Sequence, residues 1–215
     1  MRKAPAAHRG RSPHAIIAAS YLARLSAPVE LIGQRAGEYA ATDCTEHGLE
    51  PYNTFGIRGL EEATPAQERG DGLRTGIEGN PNATIIASQN ADWLREKAIP
   101  VSQAMFQANP EVHVVYTHND PMTEAAIISA ENAGLDLDEI LFIGIDALPT
   151  PDGGIRSVID GRIDVTYVYP TGGAQAIDYT LQILEQGEIP PAEVVLETEE
   201  VTGDNAEELL EKYGG

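Results

Sequence analysis

Only one cysteine occurs in this chain of 215 residues. Cys44 therefore cannot form an internal disulfide, and no multi-cysteine metal site can be built. Basic residues are scarce too: 14 Lys and Arg stand against 34 Asp and Glu, a formal net charge of -20. So acidic a body repels phosphate backbones and excludes a nucleic-acid partner. No apolar run approaches the roughly 18 residues needed to span a bilayer. The five histidines, His8, His14, His47, His113 and His118, include no His-x-x-x-His or His-Glu-x-x-His pair, so no metal site is expected. Gly-x4-Gly-Lys-Ser/Thr and Gly-x-Ser-x-Gly are both missing, and "GQRAG" and "PTGG" lack the strand context of a dinucleotide loop. With no activated nucleophile, metal cluster or cofactor loop, neither catalysis nor a cofactor is expected.

What the chain does have is uneven charge and regular alternation. Residues 1 to 30 hold Arg2, Lys3, Arg9, Arg11 and Arg24 against one acid, Glu30, which leaves nine bases and 33 acids for the remainder. The apolar patch of this segment, "AIIAASYLA", is short and broken by Ser20 and Tyr21, a poor secretory signal. Residues 1–30 are accordingly read as a disordered basic leader. From Leu31 onward, helical and strand patterns alternate. "IGQRAGEYAATDCTEHG" reads as a helix and "YNTFGIRGL" as a strand. "TPAQERGDGLRTGI" reads as a helix capped by Thr64 with Pro65 at its first position. "NATIIASQ" follows as a strand, and "ADWLREKAIPVSQAMFQANP" as a helix kinked at Pro100. "VHVVYTHN", "ILFIGID", "IDVTYVYP" and "AEVVLETEEV" are further strands. Helices separate them: "PMTEAAIISAENAG", the short "PDGGIRSVIDG" and "GGAQAIDYTLQILEQG". "DNAEELLEKYG", capped by Asp204, ends the chain. Serial alternation of this kind predicts an α/β fold with a doubly wound parallel sheet.

In such sheets ligands bind just beyond the carboxyl ends of the strands. Four successive strand-to-loop junctions place distinctive groups there: Arg69, Trp93, Asn119 and Asp146. Each has an ordinary structural reading. Arg69 could sit in an exposed ion pair worth little, Trp93 could pack into the core, and Asn119 and Asp146 could cap helices. Together they supply a guanidinium, an indole, an amide and a carboxylate. Those are the groups that hold a sugar, through charge-assisted bonds to hydroxyls and an aromatic plate for the apolar side of the ring.

The ordered motifs "QERG", "HND" and "GID", within the stretch from "TPAQERGDGLRTGI" to "TYVYPTGGAQAI", resemble the periplasmic sugar-binding proteins of the ribose-binding type. The effector domains of lactose-repressor-like regulators look similar. The resemblance runs from about Leu31 to the end, and is densest between Thr64 and Gly173. It implies that Arg69, Asn119 and Asp146 bond sugar hydroxyls and that Trp93 stacks on the ring. Tyr169, on the strand leading into the hinge, is implied as a further polar contact. It also implies periplasmic or extracellular capture of a monosaccharide for an ABC-type permease, or the sensing lobe of a transcription regulator or sensor kinase.

One departure matters. The family has two lobes, and the counterpart of the second starts here near Leu31. Roughly the first hundred residues of a typical member have no counterpart. The expected organisation is a leader over 1–30, one ligand-binding lobe of a two-lobed fold over 31–169, and a segment over 170–215. That last segment would comprise a hinge crossover with a terminal strand and helix that would normally help complete the other lobe. The stripe Ala174, Ile177, Leu181 and Leu184 then lacks its usual cover, which invites self-association through residues 170–197. A lone lobe is also expected to bind sugar weakly, and a truncated, non-binding fragment is a third reading.

Overall fold

The computed structural model describes residues 23–48 and 50–214. A three-residue strand, β1 (Arg24–Ser26), comes first. Then follow α1 (Val29–His47), β2 (Tyr52–Arg58), α2 (Thr64–Ile77), β3 (Ala83–Asn90), α3 (Arg95–Ala108), β4 (Val114–Thr117) and α4 (Asp120–Ala133). The chain continues through β5 (Leu141–Ile143), α5 (Gly154–Ile159), β6 (Val165–Tyr167), α6 (Gly173–Leu181), β7 (Glu193–Val195), β8 (Glu200–Thr202) and α7 (Ala206–Gly214).

The described residues divide into two units. One comprises residues 28–170 with 197–214, the other residues 23–27 with 171–196. The larger unit is built on a six-stranded sheet in the order β3-β2-β4-β5-β6-β8. The first five strands are parallel and β8 runs antiparallel to β6. The near-continuous apolar runs suit this arrangement, because a parallel sheet is covered on both faces; all four residues of β4 are buried. On one face, Ile32, Ala36 and Ala40 of α1 and Leu73 and Ile77 of α2 pack on Val114, Tyr116 and Ile143. On the other, α3, α4, α5 and α7 bring Phe106, Ile127, Ile155 and Leu209 against Phe55, Ile57, Val115 and Phe142.

α1 and α2 meet backbone to backbone. A Cβ built on Gly72 would lie 2.7 Å from Gln34 N and closer still to Glu30 O, and one on Gly37 would lie 2.9 Å from Gly76 Cα. Side chains at these positions would force the helices apart, so the glycines fix how deeply α2 sits on the sheet.

In the smaller unit β1 pairs in parallel with β7, Leu25 opposite Val194. No residue of α6 is buried, and Ile177 and Leu184 are 63% and 76% exposed.

Several expectations need correction. The part of the expected leader that spans residues 1–22 lies outside the described residues, but Arg24–Ser26 is a strand and Val29 already opens α1. The sequence "AEVVLETEEV" is not one strand: β7 joins β1, whereas β8 joins the edge of the main sheet beside β6. Residues from Glu197 onward therefore group with the larger unit, and only 171–196 groups with the residues around β1. Ala63, not Thr64, occupies the cap position of α2. α3 starts only at Arg95 and runs through Pro100 as a helix. α7 starts at Ala206, one residue later than an Asp204 cap requires.

Candidate functional site

β2 is followed in sequence by β3 on one side and by β4 on the other, so the strand order reverses beside β2. Crevices form at such reversals beyond the carboxyl ends of the strands. A cavity of about 260 Å³ lies there, lined by Pro65, Arg69, Trp93, Asn119, Asp146 and Tyr169. All five residues singled out in the sequence thus line one hollow, each from the segment after a different strand; Pro65 is the additional wall.

Arg69 is brought in by the second turn of α2 and is only 4% exposed. An exposed helical ion pair is therefore not its role. Its Nη1 donates to the carbonyl of His118, Nη2 lies 3.8 Å from Asp146 Oδ1, and the guanidinium sits 5.1 Å over the ring of Tyr169. Trp93 both lines the cavity and packs into the core. Its indole packs against the apolar core and against Gly59, where a Cβ would overlap the ring. Asn119 caps α4, its Oδ1 accepting from Met122 N–H at 3.1 Å, and at the cavity wall its Nδ2 donates to Trp93 O at 3.2 Å. Asp146 caps no helix. It follows β5 and forms an isolated bridge to Val168, the residue after β6.

The backbone is strained where the site is presented. Asp92 and Trp93 have φ of 54° and 61°, and Asp146 and Ala147 have φ of 119° and 49°. Non-glycine residues in this region cost about 1–3 kcal/mol each and persist only where surroundings enforce them. For the second pair the enforcing group is Asp120, which the motif reading passed over. Its Oδ2 accepts from Ala147 N–H at 2.8 Å, its Oδ1 bonds the Thr166 hydroxyl at 2.6 Å, and its own N–H donates to Ile145 O at 2.8 Å. One carboxyl group thereby ties α4 to the segments after β5 and within β6. The acid following the "ND" amide was the signal available for finding it.

Burial pushes the Asp120 carboxyl up to about 8; the Asp146 charge adds to the rise, while the Thr166 and Ala147 bonds and Arg69 oppose it. Burial likewise raises Asp146 to about 6, with Arg69 pulling it down. His118 is pushed down to about 3 by burial and by the charges of Arg69 and Arg58, so its imidazole stays neutral. The Asp120 shift has a consequence for stability. Across the window from about 4 to about 8 the folded chain holds a proton that the unfolded chain has lost, so this carboxyl makes stability fall as pH rises. Asp120→Asn, uncharged throughout, should show a smaller drop in melting temperature than the parent between pH 5 and pH 8.5. Parallel melting curves over that range would remove Asp120 as a titrating group.

Chemically, the cavity offers a fixed guanidinium, an amide, a carboxylate of tunable charge and two aromatic rings. That set orients a polyhydroxylated ligand and contains no activated nucleophile.

Comparison with known proteins gives a consistent picture. The periplasmic binding protein domain family matches residues 14–189. The ribose import binding protein of Escherichia coli K12 is 31% identical over 134 residues, covering 62% of this chain and 42% of that protein. The galactofuranose-binding protein of the same organism is 26% identical over 197 residues, 89% of this chain and 60% of the relative. Among solved structures, the fructose-binding periplasmic domain of a hybrid two-component system is similar with a TM-score of 0.81 and 32% identity, over 89% of this chain and 62% of that one. The chain thus spans about 40–60% of the length of these relatives, all of them named for binding rather than for catalysis.

Proposed function

Because the chain belongs to the periplasmic binding protein domain family, we propose that its larger unit captures a monosaccharide, without catalysis, at the carboxyl ends of the sheet strands. The observation that carries this reading is the convergence of Arg69, Trp93, Asn119, Asp146 and Tyr169 on one cavity. In this reading Asp146 and Arg69 bond ring hydroxyls, Asn119 donates through its second amide hydrogen, and the indole of Trp93 supports the apolar side of the ring. Tyr169 contributes its hydroxyl and holds Arg69 from below.

The ribose import binding protein among the relatives favours a transport role outside the cytoplasmic membrane, with delivery to an ABC-type permease. The fructose-binding domain of the two-component system favours a second reading, a ligand-sensing lobe. A gene deletion separates the two. Loss of uptake of the sugar supports transport, whereas retained uptake with loss of a transcriptional response supports sensing.

Trp93 is the only tryptophan in the chain, so its fluorescence reads the proposed site directly. Titration with ribose, galactose, fructose and arabinose should shift the emission for at least one sugar. The dissociation constant is expected in the range of about 0.1–1 mM, or about 4–5.5 kcal/mol, since a single lobe covers one side of the ligand. Unchanged emission and no calorimetric heat with the whole panel at 10-fold higher concentration (about 10 mM) would defeat the sugar reading. Micromolar or tighter binding by a confirmed monomer would instead defeat the single-lobe mechanism.

A further inference from the structure

Beside the cavity, the ends of three neighbouring strands form a second polar feature that the contacts above leave unused. Arg58 is the last residue of β2 and pairs with Asn90, the last of β3. On its other side Ile57 pairs with Thr117 of β4, so His118 is the next residue along. Strand side chains alternate between faces. Gly56 faces Ser88, with a Cβ-to-Oγ distance of 3.0 Å, which puts Arg58 and Asn90, two residues on, on that same face. Tyr116 and His118 share it too, their rings in edge contact at 5.4 Å. Asn90, Arg58 and His118 thus form one row. The indole of Trp93 lies against Gly59, and His118 Nδ1 accepts from Gly59 N–H at 3.2 Å. With Nδ1 accepting, the proton of this neutral imidazole is on Nε2.

Buried polar atoms are normally partnered. Here Arg58 Nε, Asn90 Oδ1, Trp93 Nε1, His118 Nε2 and also Arg69 Nε are buried without a hydrogen-bond partner among the described residues. Four of these five atoms are donors. Arg58 is the most anomalous. In a chain with 34 acids, its half-buried guanidinium forms no ion pair among the described residues, and the next acids along the chain, Glu61 and Glu62, are exposed. Arg69 lines the cavity, whereas Arg58 stands just behind its wall, one residue before the Gly59 against which Trp93 packs; two guanidinium groups thus lie in this region of an acidic body.

We propose that the cavity takes a sugar bearing an anionic substituent, a carboxylate or a phosphate, which reaches past Trp93 to the half-buried guanidinium of Arg58 as its counter-ion. This specifies the ligand class of the proposed sugar site and rests on that reading. A neutral sugar leaves Arg58 uncompensated in a partly desolvated place; an acidic one supplies charge-assisted bonds to donors already fixed by the strand ends.

Matched probes test it on the full chain: D-galacturonate against D-galactose, and D-ribose 5-phosphate against D-ribose, by calorimetry and Trp93 fluorescence. At least one acidic member should bind about tenfold or more tightly than its neutral partner. The preference should shrink as salt is raised in the parent protein and vanish in Arg58→Gln. Whichever pair shows the preference identifies the anion as carboxylate or phosphate. Equal affinities within both pairs overturn the inference while leaving the sugar site standing, and so does a preference insensitive to both salt and Arg58→Gln. Absence of binding by all four probes overturns the sugar reading and this inference with it. The salt titration needs no variant, so a poorly folding Arg58→Gln protein does not block the decision.

Discussion

Arg69→Ala should weaken sugar binding by about ten- to 150-fold, the equivalent of about 1.5–3 kcal/mol for a hydrogen bond to a charged group. The size follows from what the guanidinium holds together. It is buried, it donates to His118 O, it neighbours Asp146 and it stacks on Tyr169. Its removal leaves the His118 carbonyl without that donor. It also leaves Asp146 without the charge that opposes the effect of burial, so the Asp146 carboxyl should titrate still higher than about 6. Affinity at pH 6.5 should then fall further than affinity at pH 8. Arg69→Lys restores the charge but not the planar fork. It should recover the pH profile of Asp146 while recovering only part of the affinity. A loss below about 0.3 kcal/mol in Arg69→Ala, well under a charged hydrogen bond, would place Arg69 outside the binding site.

Gly72→Ala should destabilise the fold by about 3 kcal/mol, at the upper end of the range for overpacking. Alanine is ordinarily the better helix former by about 1 kcal/mol, so the expected sign is opposite to local preference. The reason is the backbone of α1: the new methyl would lie 2.7 Å from Gln34 N, and a main chain cannot step aside as a flexible side chain can. Gly70, two residues earlier in the same helix, has no atom within 4 Å of its would-be Cβ. Gly70→Ala should therefore stabilise by about 0.5–1 kcal/mol. Urea titrations of the pair provide the measurement; if both substitutions shift the midpoint in the same direction, the close approach of α1 and α2 is wrong. Because α2 carries Arg69, Gly72→Ala should lower sugar affinity as well, which Gly70→Ala should not.

The alternation of strands and helices was legible because each element announces itself locally. Val114 to Thr117 are buried on both faces and read as a continuous apolar strand, and Gly134 ends α4 in the left-handed conformation that glycine favours. The cavity lining was legible through the same local signal, polar residues where apolar runs stop. What escaped was decided by distant partners. Nothing within "AEVVLETEEV" says that Glu193–Val195 and Glu200–Thr202 join different sheets, since both halves are equally suited to a strand. Arg69 was singled out, but its burial was not legible, because the His118 carbonyl and Tyr169 ring around its guanidinium come from distant segments. Trp93 sits outside the helix that its sequence suggests because Asp92 and Trp93 adopt positive φ, a conformation neither residue type signals. Asp120 read as a helix start, and only the fold brings Thr166 and Ala147 to its carboxyl oxygens.

The junction around Val168 has one more implication. Val168 N–H donates to Glu199 O at 2.8 Å, and Thr198 Oγ1 donates back to Val168 O at 2.7 Å. The polypeptide thus departs from the main sheet and returns to it through a pair of adjacent stitches. The entropic penalty of closing such a detour grows only with the logarithm of its length, about 0.6 kcal/mol per doubling. Residues 171–196 therefore leave and rejoin the larger unit at one place, so changes in their length should cost little closure entropy to the frame that presents Asp146 and Tyr169.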